Sequence, residues 1–215
     1  MIHRLYKHSL NHATGNLPEA VESALKSLDA LPVWDLSDMY PDMHSPQLVL
    51  DLESAKELAL EFEKNWKGHL SAEAGKPGGG SLLQSIRSYE ALEELMGKII
   101  SYASLLYAED SQKPENAKLY GDIQEQLTDA SAHLLFYTLE LNHVSDLEIE
   151  TAMAANADLA HYRPWIEDLR KDKPFQLDEK IEQLFLEKAM TGRSAWNRLF
   201  DETMTALRFD ISGKL

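Results

Sequence analysis

Two long amphipathic stretches dominate the pattern of hydrophobic and polar positions along this chain. In the first, from Ser81 to Asp110, and in the second, from Pro114 to Leu141, apolar residues recur every three or four positions. This spacing places the apolar side chains on one face of an α-helix. The two stretches therefore predict a long helical hairpin, each helix about 40 Å long at roughly 1.5 Å per residue.

Shorter helical patterns flank the hairpin on both sides. Ser45 is a predicted N-cap with Pro46 at the first helical position, and Gly68 is predicted to end that helix. Ser145 and Glu148 match a capping box at the start of another helix, which is predicted to end near Asn156. Further helices are predicted over residues 18–31, 160–170, 178–190 and 195–205. The stretch 31–41 is interrupted by prolines and is predicted to be an ordered irregular strap. The predicted fold is all-α, an elongated multi-helix bundle over residues 18–205.

The last residues follow a different pattern. In TALRFDISGKL, residues 205–215, Leu207, Phe209 and Ile211 alternate with polar residues, which is typical of a half-buried strand. A single strand leaves its backbone groups unpaired, and no earlier segment has a convincing strand pattern. We therefore expect residues 206–215 to be the start of a strand, left unpaired by truncation, whose pairing partner lies beyond Leu215.

Two segments are predicted to be flexible. Residues 1–17 have an acid-poor composition without a helical pattern, which predicts a mobile leader. The glycine-rich stretch SAEAGKPGGG, residues 71–80, contains a Gly-Lys pair, but Pro77 follows the lysine and the phosphate-loop spacing is absent. A flexible connection between helices is the prediction for this stretch.

Composition narrows the possible partners and compartments. Acidic residues outnumber basic residues 36 to 21, which gives a formal net charge of −15. The basic residues are scattered, so a nucleic-acid partner is not expected. The chain has no cysteine and no apolar run long enough to cross a membrane. We expect a cytoplasmic protein without thiol chemistry and without a membrane partner.

The histidines and carboxylates of the chain match known metal-binding motifs only in part. No histidine is followed by glutamate, so the HExxH zinc motif is absent, and no catalytic residue is predicted in this chain. His8 and His12 are one helical turn apart but fall in the predicted leader. Glu140 and His143 match the Glu-x-x-His half of a di-iron bundle site, which leaves them as an alternative metal pair. Capping or solvated side chains near a helix end are the simpler explanation.

Several segments taken together resemble the N-terminal part of the oligoendopeptidase F group, zinc peptidases related to thimet oligopeptidase. LPVWDLSDMYP is similar to the opening strap of that group, FEKNWKGHL to the end of its next helix, and ISYASLLYAEDSQKPENAKLYGDIQ with FYTLELNHV to its long hairpin. The stretch HYRPWIEDLRKDKPFQLDEKIEQLFLEKAMTGRSAWNRLFDETMTALRF carries the strongest resemblance. The likeness covers roughly residues 31–215.

The resemblance implies a helical fold that encloses a deep channel, in which a metal-activated water cleaves short peptides. The zinc ligands and the base of the family lie in a downstream domain, and none has a counterpart in this chain. The resemblance therefore implies a non-catalytic part that encloses and sizes peptide substrates, without bound zinc of its own. Its partners would be short peptides and the downstream catalytic domain of the same polypeptide, and its substrate-binding residues are not identified by the sequence.

Two other functions fit the sequence. One is a self-sufficient helical module that binds peptides or a partner without cutting them, and the other is the di-iron bundle built around Glu140 and His143. A reading frame that continues beyond Leu215 and encodes HExxH favours the peptidase, whereas a native stop favours the binding module. Bound iron in the purified protein would favour the di-iron bundle.

Overall fold

A computed structural model describes residues 34–207, and within this range the chain forms helices and no strand. This confirms the all-α prediction for the described residues. The α-helices are α1 (Pro46–Trp66), α2 (Leu70–Ala74), α3 (Leu82–Glu109), α4 (Pro114–Ala132), α5 (Leu135–His143), α6 (Asp146–Ala155), α7 (Ala157–His161), α8 (Arg163–Leu169), α9 (Glu179–Thr191) and α10 (Arg193–Ala206). Two 3₁₀-helices lie at Pro77–Gly79 and Arg170–Phe175.

Some predictions fall partly or wholly outside these residues. The leader over 1–17 and the helix over 18–31 lie outside the described residues, as do positions 208–215 of the predicted strand. Ala206 still belongs to α10, and Leu207 follows it with an extended backbone. The strap prediction is confirmed over residues 34–41, which are irregular, with Tyr40 fully buried against Tyr102.

The core forms where α1, α3 and α4 pack against one another. Ala55 and Ala59 are completely buried on α1, and such small side chains allow neighbouring helices to approach closely. An aromatic cluster continues the core toward α5. In it Phe62 lies edge-on to Tyr137 with ring centroids 5.0 Å apart, and Tyr89 stacks on Tyr137 at 4.8 Å. Aromatic pairs in these arrangements stabilise the core by more than the burial of their surface area alone.

The second helix of the predicted hairpin is interrupted. Instead of one helix from Pro114 to Leu141, α4 ends at Ala132 and α5 begins at Leu135. Between them the backbone bonds shorten to the i to i+3 type, from His133 to Ala130 and from Leu134 to Ser131. The apolar stripe continues across the break, so hydrophobic periodicity alone does not reveal it.

The stretch 71–80 is the clearest correction to the sequence predictions. It is not a flexible connection, because α2 and the 3₁₀-helix at Pro77–Gly79 fold it against α6, with Leu70 and Gly79 buried. Gly79 has a φ of +78°, a conformation that favours glycine, and a Cβ there would lie 3.0 Å from the Cβ of Ala152. Glycine at position 79 thus permits both the backbone conformation and the close packing of this turn.

The remaining helices lie where they are predicted, but one is divided in two, and Ser45 occupies the N-cap position of α1 without a side-chain capping bond. Both hydrogen bonds of the predicted capping box join Ser145 and Glu148 at the start of α6. The helix predicted over 160–170 is instead divided at Tyr162 into α7 and α8. Pro164 occupies the first turn of α8, where its missing N–H costs nothing. The helices predicted over 178–190 and 195–205 are α9 and α10, with Gly192 between them.

Candidate functional site

Glu140 and His143, the alternative metal pair, are not brought together with further ligands. Glu140 accepts a hydrogen bond of 2.7 Å from the backbone N–H of Gly68, and His143 is exposed at the end of α5. Gly68 follows α1 with a φ of +80°, so Glu140 satisfies a backbone donor where that helix turns away. Within residues 34–207 no group of three or more histidine or acidic side chains could hold a metal ion. Glu140 therefore makes a structural contact between α5 and the end of α1, and its alternative role as a metal ligand with His143 stays a prediction.

The other proposed ligands give no site in the described part of the chain. Asp158 and His161 form an Asp-x-x-His pair with the same spacing as Glu140 and His143. Asp158 forms an ion pair with Arg87, and His161 lies edge-on to the Tyr162 ring. His8 and His12 lie outside the described residues.

None of the described helices is long and apolar enough to cross a membrane.

A charged cluster connects α1 with α4 and α9. Glu63 accepts from Lys67 at 3.0 Å and contacts the Nδ1 of His133 at 2.6 Å, while Lys67 also pairs with Glu179 at 2.8 Å. Burial raises the pKa of Glu63, but the hydrogen bonds from His133 and Lys67 outweigh it and lower the pKa below its ordinary value. The hydrogen bond to Glu179 is the main reason why the pKa of Lys67 is raised. Within the cluster, the ion pair between Lys67 and Glu179 joins the end of α1 to the start of α9.

Arg170 is a structural residue that sequence reasoning missed. Its guanidinium donates to the backbone carbonyl groups of Leu141 at 3.2 Å and Val144 at 2.8 Å, and it pairs with Asp146. These carbonyls lie at the C-terminal end of α5, where they have no partner within the helix. Arg170 thereby fixes the turn between α5 and α6. No sequence signal identified it, because its partners are backbone atoms about thirty residues away in the chain.

The most unusual surface of the described part is the hairpin of α9 and α10. Neither helix contains a buried residue, although both carry a regular apolar pattern. The most exposed large side chains include Phe185 on α9 and Trp196 and Phe200 on α10. Large apolar side chains in a regular helical pattern are usually covered by another element, so this surface is the strongest candidate for an interaction site.

The comparisons with known proteins bear on the same part of the chain. Residues 140–209 match the family model described as Oligopeptidase F, the N-terminal region of M3 peptidases. The match begins within α5 and includes every helix from α6 to α10. Neither the comparison with curated proteins nor that with solved structures gave a match. The resemblance is confirmed for residues 140–209, and over residues 31–139 it stays a prediction.

Proposed function

We propose, from the match of residues 140–209 to the N-terminal region of Oligopeptidase F, that this chain is the non-catalytic helical part of a zinc metallo-oligopeptidase. The match is the single observation that carries the proposal, because a fold made only of helices is shared by many unrelated functions. The match also covers the helices that expose the apolar surface of α9 and α10.

Zinc and the groups that activate water belong, in this proposal, to a catalytic part that lies outside residues 1–215. The 215 residues contain no HExxH, which would supply two histidine ligands and the glutamate base. A bound zinc ion lowers the pKa of its water to about 7 and so provides the nucleophile for peptide hydrolysis. The helical part would leave that chemistry unchanged and would control which peptides reach it.

Enclosure of the substrate is the proposed contribution of the helices. The helix α3, with 28 residues, packs along both α1 and α4, which supports a stiff wall about 40 Å long. A wall of this length and rigidity can enclose an extended peptide of about ten residues, at roughly 3.3 Å per residue, and exclude a folded domain. We therefore expect short peptides as substrates and intact proteins to be resistant.

The test uses the polypeptide that joins these 215 residues to their catalytic part. We expect it to cleave fluorogenic peptides of about ten residues, to lose activity when zinc is removed, and to spare folded proteins. The 215-residue chain alone, supplied with zinc, should be inactive. Hydrolysis by the chain alone, or a native reading frame that encodes no zinc motif, would overturn the proposal.

A photoactivatable peptide tests the enclosure itself. Bound to the joined polypeptide after zinc removal, a peptide of about ten residues should cross-link to residues 34–207 as well as to the catalytic part. The control is the same photoactive peptide attached to a folded carrier domain. It should not cross-link, because the folded domain is excluded. Cross-links confined to the catalytic part would contradict a role of the helices in enclosure.

A further inference from the structure

The last helix of the described part is oriented with its polar side toward the body of the protein. Arg198 lies over Gly121 of α4, with its guanidinium 3.4 Å from the position that a Cβ would occupy. The hydroxyl of Thr205 accepts from Ser111 at 3.2 Å, and its carbonyl accepts from Gln112 at 3.1 Å. Arg198 thus faces α4, and the two bonds of Thr205 join α10 to the connection that precedes α4.

A buried tyrosine on α3 supports this orientation. Burial is the main reason why the pKa of Tyr107 is raised, and the nearby charges of Glu202 and Asp201 raise it further against the opposing effect of Arg198. The charged residues of α10 therefore lie toward α3 and α4. An ordinary surface helix has the opposite arrangement, with its apolar side toward the core.

The apolar side of α10 faces outward as a consequence. Trp196, Leu199, Phe200 and Met204, which we call the outer stripe, follow the spacing of one helix face. Trp196 is 69% exposed and Phe200 63%, and the other two are 51% and 52% exposed. Arg198 and Thr205, which contact the body, lie about half a turn away from Trp196 around the helix.

The exposed area is large enough for a stable protein interface. Aromatic side chains bury about 150–250 Å² each, so at these exposed fractions the outer stripe leaves roughly 500 Å² uncovered. Leu184 and Phe185 on the adjoining α9 add about 200 Å² by the same measure. The outer stripe alone is as large as the largest apolar patch of a typical soluble monomer, about 300–600 Å². With the two α9 side chains, the exposed area approaches the roughly 800 Å² that each partner contributes to a standard interface.

We propose that the outer stripe, together with Leu184 and Phe185, is the surface on which the catalytic part of the peptidase docks. This inference rests on the proposed function and deepens it by naming the surface that joins the two parts. The stripe lies within the segment that matches the peptidase family, and that match runs past the last described residue to position 209. A catalytic part that follows this segment in the chain would begin beside the stripe.

The chemistry of the surface points to a protein partner with an apolar, aromatic-accepting face. Tryptophan and phenylalanine anchors are typical of the centre of an interface. The formal net charge of −15 would repel the chain from an anionic lipid surface, so a membrane is not the expected occupant. A second copy of the chain is another occupant, and the experiment separates it.

Hydroxyl-radical footprinting tests the docking directly. The oxidation rates of Trp196 and Phe200 are measured in the 215-residue chain and in the polypeptide joined to the catalytic part, and we expect them to fall severalfold in the joined polypeptide. Trp34, which is 59% exposed outside the stripe, is the internal control and should keep its rate. Equal oxidation of Trp196 in both would overturn the inference, while peptidase activity of the same joined polypeptide would leave the proposed function standing.

A substitution pair gives a second readout. In the joined polypeptide, Trp196→Ala should speed hydrogen exchange of the α10 amides by about tenfold or more, because a central tryptophan commonly carries a large share of the binding free energy of an interface. Trp34→Ala should leave that exchange unchanged, as should Trp196→Ala in the 215-residue chain, where the side chain has no partner to lose. Unchanged exchange in the joined Trp196→Ala variant would contradict docking through the stripe.

Two further measurements identify other occupants. Sedimentation of the 215-residue chain as a dimer that Trp196→Ala dissociates would assign the stripe to a second copy and overturn the inference. Binding to vesicles of phosphatidylcholine and phosphatidylserine is the second measurement. If the chain bound them and Trp196→Ala abolished the binding, the stripe would be assigned to a membrane and the inference would be overturned. We expect a monomer that does not bind these vesicles.

Discussion

Gly79 lies where the 3₁₀-helix at Pro77–Gly79 meets α6 and α7, and replacing it by alanine tests the packing of that turn. Its φ is +78°, and an added Cβ would lie 3.0 Å from the Cβ of Ala152 and 3.1 Å from a methyl group of Leu159. Ala152 has no rotatable side chain and Leu159 is completely buried, so neither neighbour can move away easily. The substitution therefore combines backbone strain with overpacking.

The adjacent Gly78 separates these two effects. Its φ is +66°, but nothing lies within 4 Å of an added Cβ, so alanine there meets the backbone strain alone. The left-handed conformation costs about 1–2 kcal/mol for a residue with a Cβ, and alanine recovers about 0.4–1 kcal/mol by restricting the unfolded chain. We expect Gly78→Ala to lower the free energy of unfolding by about 1 kcal/mol.

Overpacking of a well-filled core adds about 1–3 kcal/mol, so Gly79→Ala should lower the free energy of unfolding by about 2–4 kcal/mol. Urea unfolding followed by circular dichroism measures both variants, and for a domain of this size each 1 kcal/mol corresponds to roughly 2–4 °C in Tm. Equal destabilisation by the two substitutions would refute the packing argument. If neither substitution changed the free energy of unfolding, residues 71–80 would behave as the flexible connection that their glycine-rich composition predicts.

Three further predictions concern polar contacts. Ser145→Ala removes one half of the capping box with Glu148 and should lower the free energy of unfolding by about 1 kcal/mol, measured in urea. Tyr40→Phe removes the 2.7 Å hydrogen bond from a buried hydroxyl to Asp51 and should cost about 1.5–3 kcal/mol in the same assay, since the acceptor is charged; no loss would show that the bond is not formed. The pKa of Glu63 is lowered in the folded state, so its contribution is complete above the unfolded pKa of about 4.5 and is lost as pH falls through the folded value. Glu63→Gln should therefore reduce the loss of Tm on acidification below about pH 4.5, and an unchanged Tm-against-pH curve would contradict the role of this carboxylate.

Regular local patterns made most of the helices predictable. The long helix α3 and the capping box at Ser145 follow from spacing and from residue types that act within one or two turns. The boundary at His133 could not be predicted from spacing, because the same apolar stripe continues on both sides of it. Only the backbone hydrogen bonds change there, to the i to i+3 type. The division at Tyr162 was similarly missed, although Pro164 two residues later is a signal that could have placed it.

The candidate site was predictable only in part. The apolar spacing of Trp196, Leu199 and Phe200 is visible in the sequence and correctly predicted a helix. An amphipathic pattern gives the position of the apolar face but not the neighbour that covers it, so burial in this chain was the natural expectation. The hydrogen bonds of Thr205 with Ser111 and Gln112, about ninety residues away, set the orientation of α10.

By itself the sequence determined that this protein is helical, where most helices begin and end, and that it resembles the N-terminal part of oligoendopeptidase F. These features depend on interactions between residues a few positions apart or on recognisable strings of residues. The tertiary structure alone decided that Glu140 binds the Gly68 backbone, that Gly79 packs between helices, and that α10 turns its aromatic side outward. These features depend on which distant surfaces meet, and side-chain patterns along one helix carry no information about its neighbours.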